Sequence, residues 1–250
     1  MGDGLAWRMK FGVVTPSTNT IVQPEYDDLR PLGVTNHVGR MHIPDDPITN
    51  DADFEELIRR IDVALEEAVD RVMTCSPDHM ILGISAESIW GGGLAAAQEV
   101  KARMAKRSGG LGVTLAADAL PAALKAHGVT GKVGLLTPYM PTAEQHIQKF
   151  MDDIGYAVSG MVHLRSAGPV AIAHTPRSAL RDGLQQLADG GADVIIQFGA
   201  NLPMGRFAAV AEQWLDRPVI CVNVATYWHA LRSNGITDHI GGYGALMERY

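Results

Sequence analysis

Short apolar runs alternate along this chain with longer stretches whose apolar positions recur at helical spacing. Runs at 10–15, 33–42, 78–84, 111–116, 132–137, 156–163, 193–198 and 218–223 predict strands. Between them, 20–29, 52–74, 92–107, 118–127, 141–153, 176–189, 205–215 and 224–234 predict helices. The stretch 52–74 has the sharpest pattern: Phe54, Leu57, Ile58, Ile61, Leu65, Ala68, Val69 and Val72 form one apolar stripe. Asp51 or Asp53 is the expected cap at its start. Gly128 and Gly235 follow two helical stretches as left-handed ends. Strands that alternate with helices predict βαβ crossovers and a mainly parallel sheet covered on both faces.

The pattern repeats. Lys10-Phe11-Gly12-Val13-Val14-Thr15-Pro16 returns as Lys132-Val133-Gly134-Leu135-Leu136-Thr137-Pro138, and Asp78-His79-Met80-Ile81-Leu82-Gly83 returns loosely from Asp193 to Gly199. Ala123-Leu124 with Gly128-Val129 returns as Ala230-Leu231 with Gly235-Ile236. The expected fold is therefore α/β, with two pseudo-symmetric lobes, each a mainly parallel four-stranded sheet flanked by helices. Residues 1–117 with 218–250 are assigned to the first lobe and 118–217 to the second. A ligand is expected between the lobes, at the carboxyl ends of the strands.

With 250 residues, 46% hydrophobic and 20% charged, the chain has the composition of an ordinary globular protein. A formal charge of −7 without a basic cluster argues against nucleic acid as a partner. Apolar stretches are interrupted well before the ~18 residues a membrane helix needs, so no membrane partner is expected. Residues 1–10 lack a signal-peptide core, and a cytoplasmic location is the default expectation. The two cysteines, Cys75 and Cys221, have no metal-binding spacing and read as small apolar fillers. The nine histidines fall outside the strand-end turns and show no metal spacing.

Chemistry is expected at those turns. Thr15, Ser17 and Asn19 leave a strand where a helix begins, and a helix start favours a carboxylate. Thr137 and Tyr139 are their repeat equivalents. Gly83, Ile84, Ser85 and Glu87 follow another strand, and Gly199, Ala200 and Asn201 follow its counterpart. Ser85, Glu87 and Tyr139 are the candidates for handling a proton or water; the remaining turn residues are substrate-binding candidates. Glu87 in a first helical turn, and Asn201 before a helix, have plain structural readings as well. Ser85 is not set in a Gly-x-Ser-x-Gly elbow.

These residues have a likeness. Gly12 through Thr20, Pro24-Glu25, Arg40-Met41, Thr137-Pro138-Tyr139, Ala200-Asn201-Leu202 and Asn223-x-Ala225-Thr226-x-Trp228 together resemble the maleate cis-trans isomerase group. That group, with arylmalonate decarboxylase, belongs to the aspartate/glutamate racemase superfamily. The resemblance implies two similar lobes, no cofactor and a small carboxylate between them, with ligand contacts at Asn19, Tyr139 and Asn201. It also implies a cysteine in one or both strand-end turns, where this chain carries Gly83 and Gly199 (or Phe198). Chemistry that depends on a thiolate is thus not expected. Three readings stay open: an isomerase or decarboxylase working without a thiol, a hydrolase of an amide or ester using Ser85 or Glu87, and a non-catalytic carboxylate binder. A homo-oligomer is the expected assembly.

Overall fold

A computed structural model describes residues 3–85 and 93–250, apart from the side chains of Asp51 and Phe54. Glu87 lies outside the described residues. The first sheet contains β1 (Met9–Pro16), β2 (Val34–Met41), β3 (His79–Leu82) and β4 (Val113–Thr114), in the order β2-β1-β3-β4. The second contains β5 (Val133–Thr137), β6 (Val158–His163), β7 (Val194–Gln197) and β8 (Val219–Cys221), in the order β6-β5-β7-β8. Every pairing is parallel, and the central strands β1 and β5 occupy equivalent places.

The duplication extends to single hydrogen bonds. Lys10 donates its N–H to the Asp78 carboxylate (2.8 Å), and Lys132 makes the same bond to Asp193 (2.7 Å). In return, the N–H groups of Asp78 and Asp193 bond to the carbonyls of Lys10 and Lys132, each at 2.8 Å. Both clasps pin the start of a central strand to its neighbour.

The described helices are α1 (Val22–Leu29), α2 (Asp51–Met73), α3 (Leu94–Arg107), α4 (Ala116–Ala126), α5 (Glu144–Asp153), α6 (Arg177–Asp189), α7 (Gly205–Leu215), α8 (Val222–Ser233) and the short α9 (Ala245–Arg249). Gly128 and Gly235 end α4 and α8 with positive φ, as expected. Among the described residues no helix is long and apolar enough to cross a membrane.

The cap of α2 differs from expectation. Asn50 accepts the Asp53 N–H (3.0 Å), while the Asp53 carboxylate turns back to the N–H (2.8 Å) and hydroxyl (2.6 Å) of Thr49. Asp53 therefore reinforces a cap that Asn50 makes, and its bonds to Thr49 hold its carboxyl below the usual range. Asn50→Ala is expected to lower stability by about 1 kcal/mol, read as a lower denaturant midpoint at unchanged slope.

The tail also divides differently from the expected 218–250 assignment. Strand β8 pairs with β7 and closes the second sheet, whereas α8 packs on α1, α4, β3 and β4 of the first lobe. Helix α4, expected with the second lobe, lies along α8. The physical reason is the duplication itself: β8 repeats β4, so it takes β4's edge place in the other sheet. The helix that leaves it then crosses the junction.

Candidate functional site

The turn after β1 is set by side chains that bond backward into the chain. The Asn19 Oδ1 accepts the N–H groups of Ile21 and Val22, both at 2.9 Å, and so starts α1. Arg40 fixes the same turn from β2, donating to the Asn19 carbonyl (2.7 Å) and to the Gln23 side chain (2.8 Å). The turn after β7 is braced by Gln197, whose buried amide donates to the carbonyls of Phe198 (2.5 Å) and Gly199 (2.9 Å).

The two lobes meet through these turns. The Asn201 Oδ1 accepts the Thr20 N–H (2.9 Å), and its Nδ2 donates to the carbonyls of Pro169 (2.9 Å) and Thr18 (3.4 Å). The Ser85 Oγ accepts the Gly199 N–H (2.9 Å) and lies 3.3 Å from the Tyr139 hydroxyl. Further out, Ile48 donates its N–H to the Ala167 carbonyl (2.9 Å), and Val170 donates its N–H to the Asp45 carboxylate (2.9 Å).

A small cavity opens at this meeting point. Thr18, Asn19, Tyr139, Gly199, Ala200 and Asn201 contribute to its lining, whose exposed surface is mostly apolar. Its apolar wall has Ile43 and Ile48 from the segment after β2 and Leu57, Ile58 and Ile61 from α2. Ile84 and Ile172 complete the wall.

Of the expected binding residues, Asn19, Ile84, Gly199, Ala200 and Asn201 come together here, and so does Tyr139. Four others brace the site from behind. Thr15 donates its hydroxyl to the Gly83 carbonyl (2.8 Å). Ser17 exchanges hydrogen bonds with the backbone of Ile43, at 3.0 and 3.1 Å. The Thr137 hydroxyl accepts the Tyr139 N–H (3.2 Å). Gly83 is packed so closely that a Cβ there would sit 2.8 Å from Val22 Cγ1. Short hydroxyl side chains at a strand end satisfy neighbouring backbone groups before they reach outward, which explains these departures. Ser85 is fully buried behind Tyr139. The apolar wall escaped sequence reasoning, because the first turns of α2 carry the same stripe as the turns that face the sheet.

The electrostatics of the cavity are those of a neutral donor set. Burial pushes the Tyr139 phenol up to about 12, partly offset by its contact with Ser85, so it keeps its proton at neutral pH. The N–H groups of Thr18, Ala200 and Asn201 meet no acceptor among the described residues, and neither does the Asn19 Nδ2. Such donors beside a desolvated wall suit a carboxylate oxygen. The cysteines lie elsewhere. Cys75 follows α2, near the amino end of β1, where Lys10 bonds its carbonyl (3.2 Å). Cys221 ends β8 with its thiol pushed well up by burial and by the charge of Glu25.

No match is found among curated protein sequences. By structure, the chain is similar to the Nocardia farcinica maleate cis-trans isomerase, in a mutant with a covalently bound succinylcysteine intermediate. The TM-score is 0.85 and the identity 21%, over 97% of this chain and 99% of that one. The maleate isomerase of Pseudomonas putida S16 has a TM-score of 0.83 and 21% identity, over 96% of this chain and 98% of that one. A liganded mutant of arylmalonate decarboxylase gives 0.80 and 20%, over 97% and 100%. These likenesses establish the fold. The model of the arylmalonate decarboxylase family matches residues 56–247, well over half the chain. The chain therefore belongs to the arylmalonate decarboxylase family.

Proposed function

We propose that this protein is a cofactor-independent enzyme that decarboxylates a small malonate bearing an apolar substituent, without using a thiol. The observation that carries this reading is a largely apolar, isoleucine-rich cavity whose lining includes residues with unspent N–H groups. The N–H groups of Thr18, Ala200 and Asn201 hold one carboxylate. The apolar wall takes the substituent and strips water from the second carboxylate, which raises its energy relative to the delocalised charge that follows. The bond from the α-carbon to that carboxylate breaks, CO₂ leaves, and the electron pair spreads over the α-carbon and the retained carboxylate. Fixed donors stabilise this enediolate. The Tyr139 phenol then donates its proton to the α-carbon, and water returns a proton to the phenolate.

A second reading rests on a specific observation: Tyr139 is the one ionisable side chain among the described residues of the lining. A binding protein needs no more than that. Hydrolysis by Ser85 has less behind it, since the described partners of its hydroxyl are the Gly199 N–H and the Tyr139 phenol, neither of them a base.

The test is incubation with ¹³C-carboxyl phenylmalonate, isopropylmalonate and maleate, followed by NMR in D₂O. Release of labelled CO₂ with one deuterium at the α-carbon is the expected result for the substituted malonates. Ligand-induced stabilisation of about 2.7 kcal/mol at a hundredfold excess over Kd, with no conversion, supports the binding reading instead. Neither conversion nor stabilisation by any of the three removes the carboxylate site altogether.

A further inference from the structure

Glu25 has no part in the chemistry above, yet its carboxylate is set into the lobe junction where three elements converge. Its Oε1 accepts the N–H of Gly205, the first residue of α7, at 2.8 Å. Its Oε2 accepts from the Asn223 Nδ2 at 2.7 Å, in the first turn of α8. That same Nδ2 donates to the Ala200 carbonyl at 2.9 Å. Ala200 lines the cavity. A chain of hydrogen bonds thus runs from α1 of the first lobe, through α8, to the turn of the second lobe that holds two of the unspent N–H groups.

The surroundings of Glu25 offer donors but no dedicated cation. From its own helix, Asp28 lies one turn along, and its charge goes to Arg206 of α7 (2.8 Å) and to the Tyr243 hydroxyl (2.9 Å). Arg177 of α6 lines the same surface cavity as Glu25, and Cys221 faces it from the end of β8. Tyr26, its neighbour on α1, and Tyr243, from the C-terminal segment, keep their phenols protonated at neutral pH. Burial, the dominant cause, raises the Glu25 carboxyl to about 7 against the pull of its two hydrogen bonds.

Both described partners of the carboxylate are donors, so protonation turns one accepting oxygen into a donor and weakens the pair of bonds that the ionised group makes. The Gly205 N–H is fixed by α7, which leaves the Asn223 side chain to move. We propose that Glu25 and Asn223 are positioning residues that hold the Ala200 turn of the cavity, and that neutralising Glu25 releases this turn. Only the consequence for catalysis rests on the function proposed above; the clamp itself does not.

Amide hydrogen exchange across 198–205, corrected for the intrinsic pH dependence of exchange, tests the clamp on the ligand-free protein. In the wild type, protection at Leu202, whose N–H closes this turn onto the Gly199 carbonyl, is expected to fall by about tenfold or more between pH 8.5 and 5.5, the scale of one lost hydrogen bond to a charged group. Glu25→Gln and Asn223→Ala are expected to be poorly protected at both pH values, and Glu25→Asp to recover part of the dependence. Equal protection of the wild type at the two pH values overturns the proposal, even if the variants fail to fold. A second readout has a fixed sign. The folded carboxyl titrates above its ordinary 4.5, so its stabilising share is present below that value and is lost as pH rises through about 7. The melting temperature of Glu25→Gln relative to wild type should therefore be higher at pH 8.5 than at 5.5. If a malonate is turned over, KM is expected to rise below pH 7 while kcat changes less; absence of turnover sinks the proposed reaction and leaves the exchange result standing.

Discussion

Gly199→Ala is expected to lower stability by about 3 kcal/mol, the sum of left-handed strain and overpacking against a rigid neighbour. Gly199 has φ +93°, and a Cβ there would lie 2.5 Å from Pro138 Cδ and closer still to Cγ. The proline ring is held by the β5 turn and has no flexible end that can swing aside. For a chain of this length the loss corresponds to a fall of roughly 6–12 °C in Tm. Gly155→Ala is the control: its φ is +81°, but a Cβ there meets nothing within 4 Å. If the two variants melt alike, the contact with Pro138 is softer than described and the argument fails. The same geometry bears on a thiol at position 199, since Gly199→Cys begins with the same Cβ.

Tyr139→Phe is expected to reduce turnover of a substituted malonate by about 10²–10⁴-fold, the usual loss when a positioned general acid is removed. The fold should tolerate the change, because phenylalanine keeps the ring in place and leaves Ser85 its bond from the Gly199 N–H. Turnover at wild-type level in Tyr139→Phe would remove this residue from the chemistry. With the phenol raised to about 12, Tyr139 remains a neutral donor throughout the ordinary pH range and contributes no acidic limb to the rate profile. A decline below pH 7 therefore points to Glu25, not to Tyr139.

The fold was legible because its signals are local and duplicated. Apolar runs gave the strands, the 3.6-residue stripe gave α2, and the Lys10–Pro16 and Lys132–Pro138 match placed two equivalent strands at the centres of two sheets. The site was legible at the level of turns and much less so at the level of side chains. Asn19, Tyr139 and Asn201 do reach the cavity, whereas Thr15, Ser17 and Thr137, chosen on the same grounds, spend their hydroxyls on adjacent backbone. Periodicity says which way a residue points within an element, not what a neighbouring strand end will ask of it. Leu57 and Ile58 show the same limit. They continue the stripe of Leu65 and Val69, but the sheet ends beneath them and the cavity begins. The path of the tail was decided by contacts between residues far apart in the chain, such as α8 with α4, which no short window contains.

That tail has a consequence for the molecule's history and its integrity. Residues 219–221 finish one half and the helix that follows without a break roofs the other. A chain cut near residue 217 would leave one lobe missing its rim and the other missing its cover. Although each half looks like a copy of its partner, neither retains the means to live alone, and the pair can be expected to survive or perish as a unit.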